Sequence, residues 1–134
     1  MIKIKDGKQT ITNDIAYIAG FFDGEGCIRI KRASQGGNSY YITTTITNSN
    51  KEILEYVKAI FGGRVRKAEK TVNKVVYHYE LMASEAVDML KTLLGFLKEK
   101  RTQAELAINF HEKKLTLSPQ AKQRDYEIMC RLKK

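Results

Sequence analysis

The chain has 134 residues, 43% hydrophobic and 29% charged, the composition of one globular domain spanning residues 1–134 and not of a disordered, collagen-like or disulfide-stapled polypeptide. Its 24 Lys and Arg against 15 Asp and Glu leave a formal charge of +9. An acidic partner is expected, nucleic acid first, because each phosphate neutralised by Lys or Arg releases condensed counterions. The longest apolar runs, residues 15–22 and 93–97, are far shorter than the roughly 20 residues that cross a bilayer, and residues 1–7 lack the apolar core of a signal peptide. A protein that stays inside a bacterial cell or an organelle, with no membrane partner, is the expectation. Cys27 and Cys130 have no metal-ligand spacing and read as reduced thiols.

Asn13 and Asp14 are good caps for a first helix that runs to Glu25 with Ile15, Ile18, Ala19 and Phe22 on one side and stops at Gly26. Residues 27–32 then alternate apolar and basic, a turn-rich stretch follows at 34–39, and the β-branched run 41–47 returns as the second strand of a hairpin. Ser49 and Glu52 have capping-box spacing before the apolar stripe of Ile53, Leu54, Val57, Ile60 and Phe61, which ends at Gly62 and Gly63. A second hairpin, 64–68 with 74–81, turns near residues 71–73. Ser84 opens a third helix, Gly95 interrupts it, and residues 96–110 resume helical periodicity; Ser118 and Pro119 start a terminal helix toward Leu132.

Helix, hairpin, helix, hairpin, helix describes an α+β domain whose four-stranded antiparallel sheet is covered on one face and bare on the other. Alternation turns Ile28, Ile30, Ile42 and Ile46 inward, and the apolar set Val75, Tyr77, Tyr79 and Leu81 is assigned inward on the fourth strand. Arg29, Lys31, Tyr41, Thr43, Thr45, Arg64, Arg66, Lys74, His78 and Glu80 are left on the bare face. Such donors and acceptors suit base edges in a DNA major groove, and five cations without matching acids favour a charge-neutralising partner.

Residues 18–26, Ile-Ala-Gly-Phe-Phe-Asp-Gly-Glu-Gly, carry the sharpest signal. Gly20 and Gly24 lie one helical turn apart, each at a cost of about 1 kcal/mol relative to alanine, and permit close approach by another helix. Glu25 falls in the last turn, where the helix dipole disfavours an anion, so a cation is expected nearby.

This nonapeptide resembles the LAGLIDADG motif of homing endonucleases, whose core has the same order of elements. The resemblance implies a single-motif member working as a homodimer, with Ile18, Ala19, Gly20, Asp23 and Gly24 at the two-fold interface and Asp23 structural. It implies hydrolysis of both strands of a long pseudo-palindromic duplex by an enzyme of an intron or intein, with Glu25 of each subunit as the magnesium-binding carboxylate. Lys100, or alternatively Lys98, matches the family's lysine near the attacked phosphate, and Asn48 matches the polar residue that orients water, though it could equally be a helix cap. Lys51 is the nearest basic residue to a further position, where Glu52 stands. The alternative is a non-catalytic nucleic-acid module, in particular a maturase for intron RNA.

Overall fold

The computed structural model describes residues 8–34, 37, 39–71 and 74–133. Helix α1 (Lys8–Glu25) leads directly into β1 (Gly26–Arg32), followed by β2 (Tyr40–Asn48), α2 (Lys51–Phe61), β3 (Arg64–Thr71), β4 (Lys74–Met82), α3 (Ala83–Leu93), α4 (Arg101–Lys113) and α5 (Pro119–Leu132). The two hairpins join through β2 and β4, giving an antiparallel sheet in the order β1-β2-β4-β3. Parts of both expected turns, residues 35, 36, 38, 72 and 73, lie outside the described residues, as do residues 1–7.

The helices cover one face as the alternation requires. Ile28, Ile30, Ile42, Ile46, Tyr79 and Leu81 from the sheet are buried with Ile18 and Phe22 of α1, Leu54 and Val57 of α2, and Leu90 and Leu93 of α3. Thr44 shares this core, its hydroxyl 3.7 Å from Met89 Sδ. Among the described residues no helix is long and apolar enough to cross a membrane.

Several boundaries differ from the sequence reading. Helix α1 already runs from Lys8, so Asn13 and Asp14 are helix-interior residues and not caps. Asp14 instead accepts a 2.6 Å hydrogen bond from Tyr56, tying α1 to α2; burial, then this bond, pushes the Tyr56 hydroxyl up to about 12. Asn50, not Ser49, caps α2 by accepting from Glu52 and Ile53. The α2 terminus at Gly62 and Gly63 has φ of 81° and 94°, and a Cβ on Gly63 would sit 2.7 Å from the Leu81 side chain; only glycine suits both demands. On β4 the inward side is as assigned for Tyr77, Tyr79 and Leu81, which pack on the core, but Val75 on that side is 39% exposed near the hairpin end and outside the core.

The largest difference lies between α3 and α4. Residues 94–96 form a single 3-10 turn, residues 97–100 are non-helical, and α4 starts only at Arg101. Helical periodicity over 96–110 is broken there because the backbone N–H groups of Lys98, Glu99 and Lys100 all turn to the Asp23 carboxylate, at 2.9, 2.9 and 2.8 Å. The expected α5 start is as read, with Ser118 Oγ accepting from Ala121.

Candidate functional site

Glu25 is the last residue of α1 and Gly26 the first of β1, so no linker separates the motif helix from the sheet. Gly26 makes this junction possible, since a Cβ there would overlap the Phe22 ring. The Glu25 side chain is thereby set, exposed, at the rim of a trough of about 460 Å³ on the bare sheet face.

The sheet register explains which residues share that trough. Arg29 pairs with Thr43, Thr43 with Met82, Thr45 with Glu80, Thr47 with His78, and His78 with Arg66, so these side chains project to the same side. Of the expected readout residues, Arg29, Lys31, Thr43, Thr45, Arg66, His78 and Glu80 line the trough with Glu25. Tyr41, Arg64 and Lys74 stand on the same face by register but outside its wall. Cys27, Thr47 and Ala68 also line it. The sequence reading missed them, although continuing the 41-43-45 alternation would have reached Thr47.

Within the described residues none of Arg29, Lys31, Arg64, Arg66 and Lys74 forms a salt bridge. The face therefore carries a net positive field. Burial, followed by the charge of Arg66, holds the His78 imidazole below its ordinary value, with Arg29 and Lys31 adding to the effect and Glu80 opposing it. Its Nδ1 lies 3.0 Å from Thr47 Oγ1, which leaves the other ring nitrogen available. Thr43 Oγ1 is fully buried without a hydrogen-bond partner among the described residues.

Lys100 supplies the cation expected at the end of α1. Its ammonium donates a 2.6 Å hydrogen bond to the backbone oxygen of Asp23, two residues before Glu25, so it complements the negative pole of the helix as well as its local carbonyl. It belongs to the segment leading into α4 and not to the helix body, because Asp23 holds that segment open. Lys98 donates only its backbone N–H to Asp23 and is exposed.

Asp23 is thus the hinge pin of the site, and its carboxylate is engaged inside its own chain. Burial alone would raise its pKa, but the N–H groups of Glu99, Lys100 and Lys98 and the Lys100 charge outweigh it, and the carboxyl is held below its ordinary value. Asp23→Ala is expected to cost about 1–2 kcal/mol, the scale of a lost helix-capping carboxylate, measured by urea melts at pH 7. Since the native pKa is depressed, the wild-type advantage should be full above the unfolded value of about 3.9 and vanish as pH falls through the native value.

Asn48 ends β2 at the same end of the sheet, yet it does not line the trough, and its Oδ1 accepts a 2.8 Å bond from Asn50 N. The structure uses it to shape the turn into α2. Lys51 stacks over Tyr77 with its Nζ 5.8 Å from the ring centroid.

The interface expectation divides. Gly20 and Gly24 lie on the open side of α1, with no described residue within 4 Å of a Cβ built at either, whereas Ile18 and Ala19 are fully buried in the core of their own chain. The reason is angular: residues four apart share a helix face, so the small residue continuing the Gly20 and Gly24 stripe is exposed Ala16 and not Ala19.

No cluster of three or more His, Cys, Asp or Glu able to hold an ion exists among the described residues, so one chain offers Glu25 and little else. That is compatible with magnesium, which characteristically keeps waters and takes one or two carboxylates plus phosphate oxygens.

The sequence profile of the LAGLIDADG endonucleases matches residues 18–111. The chain belongs to the LAGLIDADG endonuclease family. Its fold is that of solved LAGLIDADG proteins. It superposes on the homing endonuclease I-CvuI in complex with its target with a TM-score of 0.76, at 23% identity over 93% of this chain and 85% of that one. The archaeal intron-encoded homing endonuclease I-Vdi141I complexed with DNA gives 0.71, at 19% identity over 94% and 84%. Against the LAGLIDADG homing endonuclease I-SmaMI bound to cleaved DNA the TM-score is 0.60, at 24% identity, and 90% of this chain spans only 42% of that one. No curated protein sequence matches the chain.

Proposed function

We propose that this LAGLIDADG protein is a site-specific DNA endonuclease that acts as a homodimer on both strands of a long pseudo-palindromic duplex, as the mobility enzyme of an intron or intein. The observation that carries the reading is the position of Glu25, an exposed carboxylate delivered by the motif helix to the rim of an otherwise basic trough. The unpartnered small-residue face of α1 supports pairing of two copies, as does the likeness of one chain to less than half of the DNA-bound protein I-SmaMI.

In this reading the sheet face enters the major groove, with Arg29, Lys31 and Arg66 suited to guanine and Glu80 to the amino group of cytosine or adenine. Glu25 would hold a divalent cation, which when bound would supply charge relief and an activated water. Lys100, anchored on Asp23 O, contributes a fixed positive charge beside the developing negative charge. Asn48 contributes through the turn it shapes.

Incubating the protein with a randomised duplex library and magnesium, then sequencing cut ends, tests the proposal. Selective breaks in both strands support it, and intact DNA overturns it. On a target so selected, Arg66→Ala is expected to relax base preference at one position of each half-site, worth roughly 1–3 kcal/mol there. Binding titrations against single-substitution duplexes provide the check; an unchanged preference profile removes Arg66 from the readout.

A further inference from the structure

β1 is an edge strand, with β2 on one side and α5 packed beside the other. Between β1 and α5 lies a second concavity of about 180 Å³, ringed by Arg29, Lys31, Arg32 and Lys133 over a floor of buried Ile30 and Met129. Among the described residues no carboxylate lines it. Four cations gathered this way repel one another, and an anion in their midst relieves that cost.

Arg32 is built into the site before any ligand arrives. Its Nη2 donates a 2.8 Å hydrogen bond to Gln123 Oε1, which also accepts from Tyr40 at 2.7 Å, and the guanidinium lies 4.8 Å from the Tyr126 ring centroid. Gln123 is itself held by a 2.9 Å bond to Glu127. A guanidinium stacked and hydrogen-bonded on one side keeps most of its donors for the cavity and loses little freedom on binding. Arg29 lines this concavity and the sheet trough alike, so the two surfaces are continuous.

We propose that the α5–β1 concavity grips a backbone phosphate of the DNA outward from the cleavage site, an inference that rests on the DNA-endonuclease reading. A phosphate suits it better than a base edge, because it is a small recess at the sheet border whose charged lining, among the described residues, is all cationic. Its distance from Glu25 is set by β1: six steps from Gly26 to Arg32 at roughly 3.3 Å each span about 20 Å, or about six base pairs. The helix α5 therefore extends the footprint without adding sequence information.

The test uses the full chain, a duplex selected from the library, and Lys133→Ala and Lys133→Glu variants, with Lys133 exposed at the end of α5. Ethylation of single phosphates should block wild-type binding at one outer phosphate per half-site, about six base pairs from the cut, and this block should disappear in both variants. The log-log salt slope should become shallower by about 0.9 for each copy bound, with base preference unchanged. Identical ethylation patterns and slopes for wild type and variants would overturn the phosphate grip alone. Failure of the wild type to bind any selected duplex would overturn it together with the endonuclease reading. An inorganic-phosphate titration that raises the wild-type melting midpoint but not that of Lys133→Ala, with unchanged ethylation patterns, would mark a free-anion site and also overturn the proposal.

Discussion

Glu25→Gln is expected to reduce cleavage of a selected duplex by about 10²- to 10⁴-fold, the equivalent of losing several kcal/mol of metal-assisted stabilisation, while sequence-selective binding persists. The substitution keeps size and hydrogen bonding and deletes only the charge that anchors the cation. Binding without metal should tighten modestly, because a carboxylate facing phosphates is removed from a complex lacking its cation. Glu25→Asp should be milder, losing one methylene of reach. A nicking and cleavage assay in magnesium, beside binding in calcium, separates these effects. Wild-type cutting by Glu25→Gln would make the maturase or binding-module reading the better account. Lys100→Met is a useful companion: it should slow turnover and also lower stability slightly, since its ammonium serves the Asp23 carbonyl at the end of α1.

Gly20→Leu should convert the protein to a monomer and abolish double-strand cleavage without unfolding it. A Cβ at this position meets no described residue of its own chain within 4 Å, and replacing a helical glycine recovers up to about 1 kcal/mol of helix propensity. The loss would therefore arise between copies, where a bulky side chain prevents close approach of two α1 helices. Sedimentation at micromolar concentration, together with thermal melts, checks both halves of the expectation. A wild-type sedimentation coefficient with intact cleavage would refute the two-fold arrangement through this face. Ala19→Leu should behave in the opposite way, overpacking the core by about 1–3 kcal/mol, because Ala19 is fully buried within its own chain.

Much of the architecture was legible because it depends on local periodicity. Strand alternation placed Arg29, Lys31, Thr43, Thr45, Arg66, His78 and Glu80 together on one face, and the register bears this out. Gly62 at the end of α2 and the Ser118 cap of α5 act through nearest neighbours, so their effect could be read without knowing the rest of the chain, whereas the close approach of Leu81 to Gly63 could not. Val75 escaped this logic, since its exposure depends on how far the helix layer reaches along β4 and not on alternation.

By itself the sequence determined the order of elements, the bare basic face and the placement of an acid at the end of the motif helix, all consequences of side-chain period and local backbone preference. Only the tertiary structure decided what that acid's surroundings are made of. Asp23 interrupts the helical pattern at residues 97–100 by drawing three backbone N–H groups from 75 to 77 positions away, and in return receives the Lys100 ammonium on its carbonyl. Likewise, the sides of α1 occupied by Ala19 and by Ala16 differ only by rotation about the helix axis, and the packing of the core settled which of them is free. Contacts between groups so distant in sequence leave no periodic trace, because their partners are chosen by packing and by the need to satisfy polar groups wherever the chain brings them together.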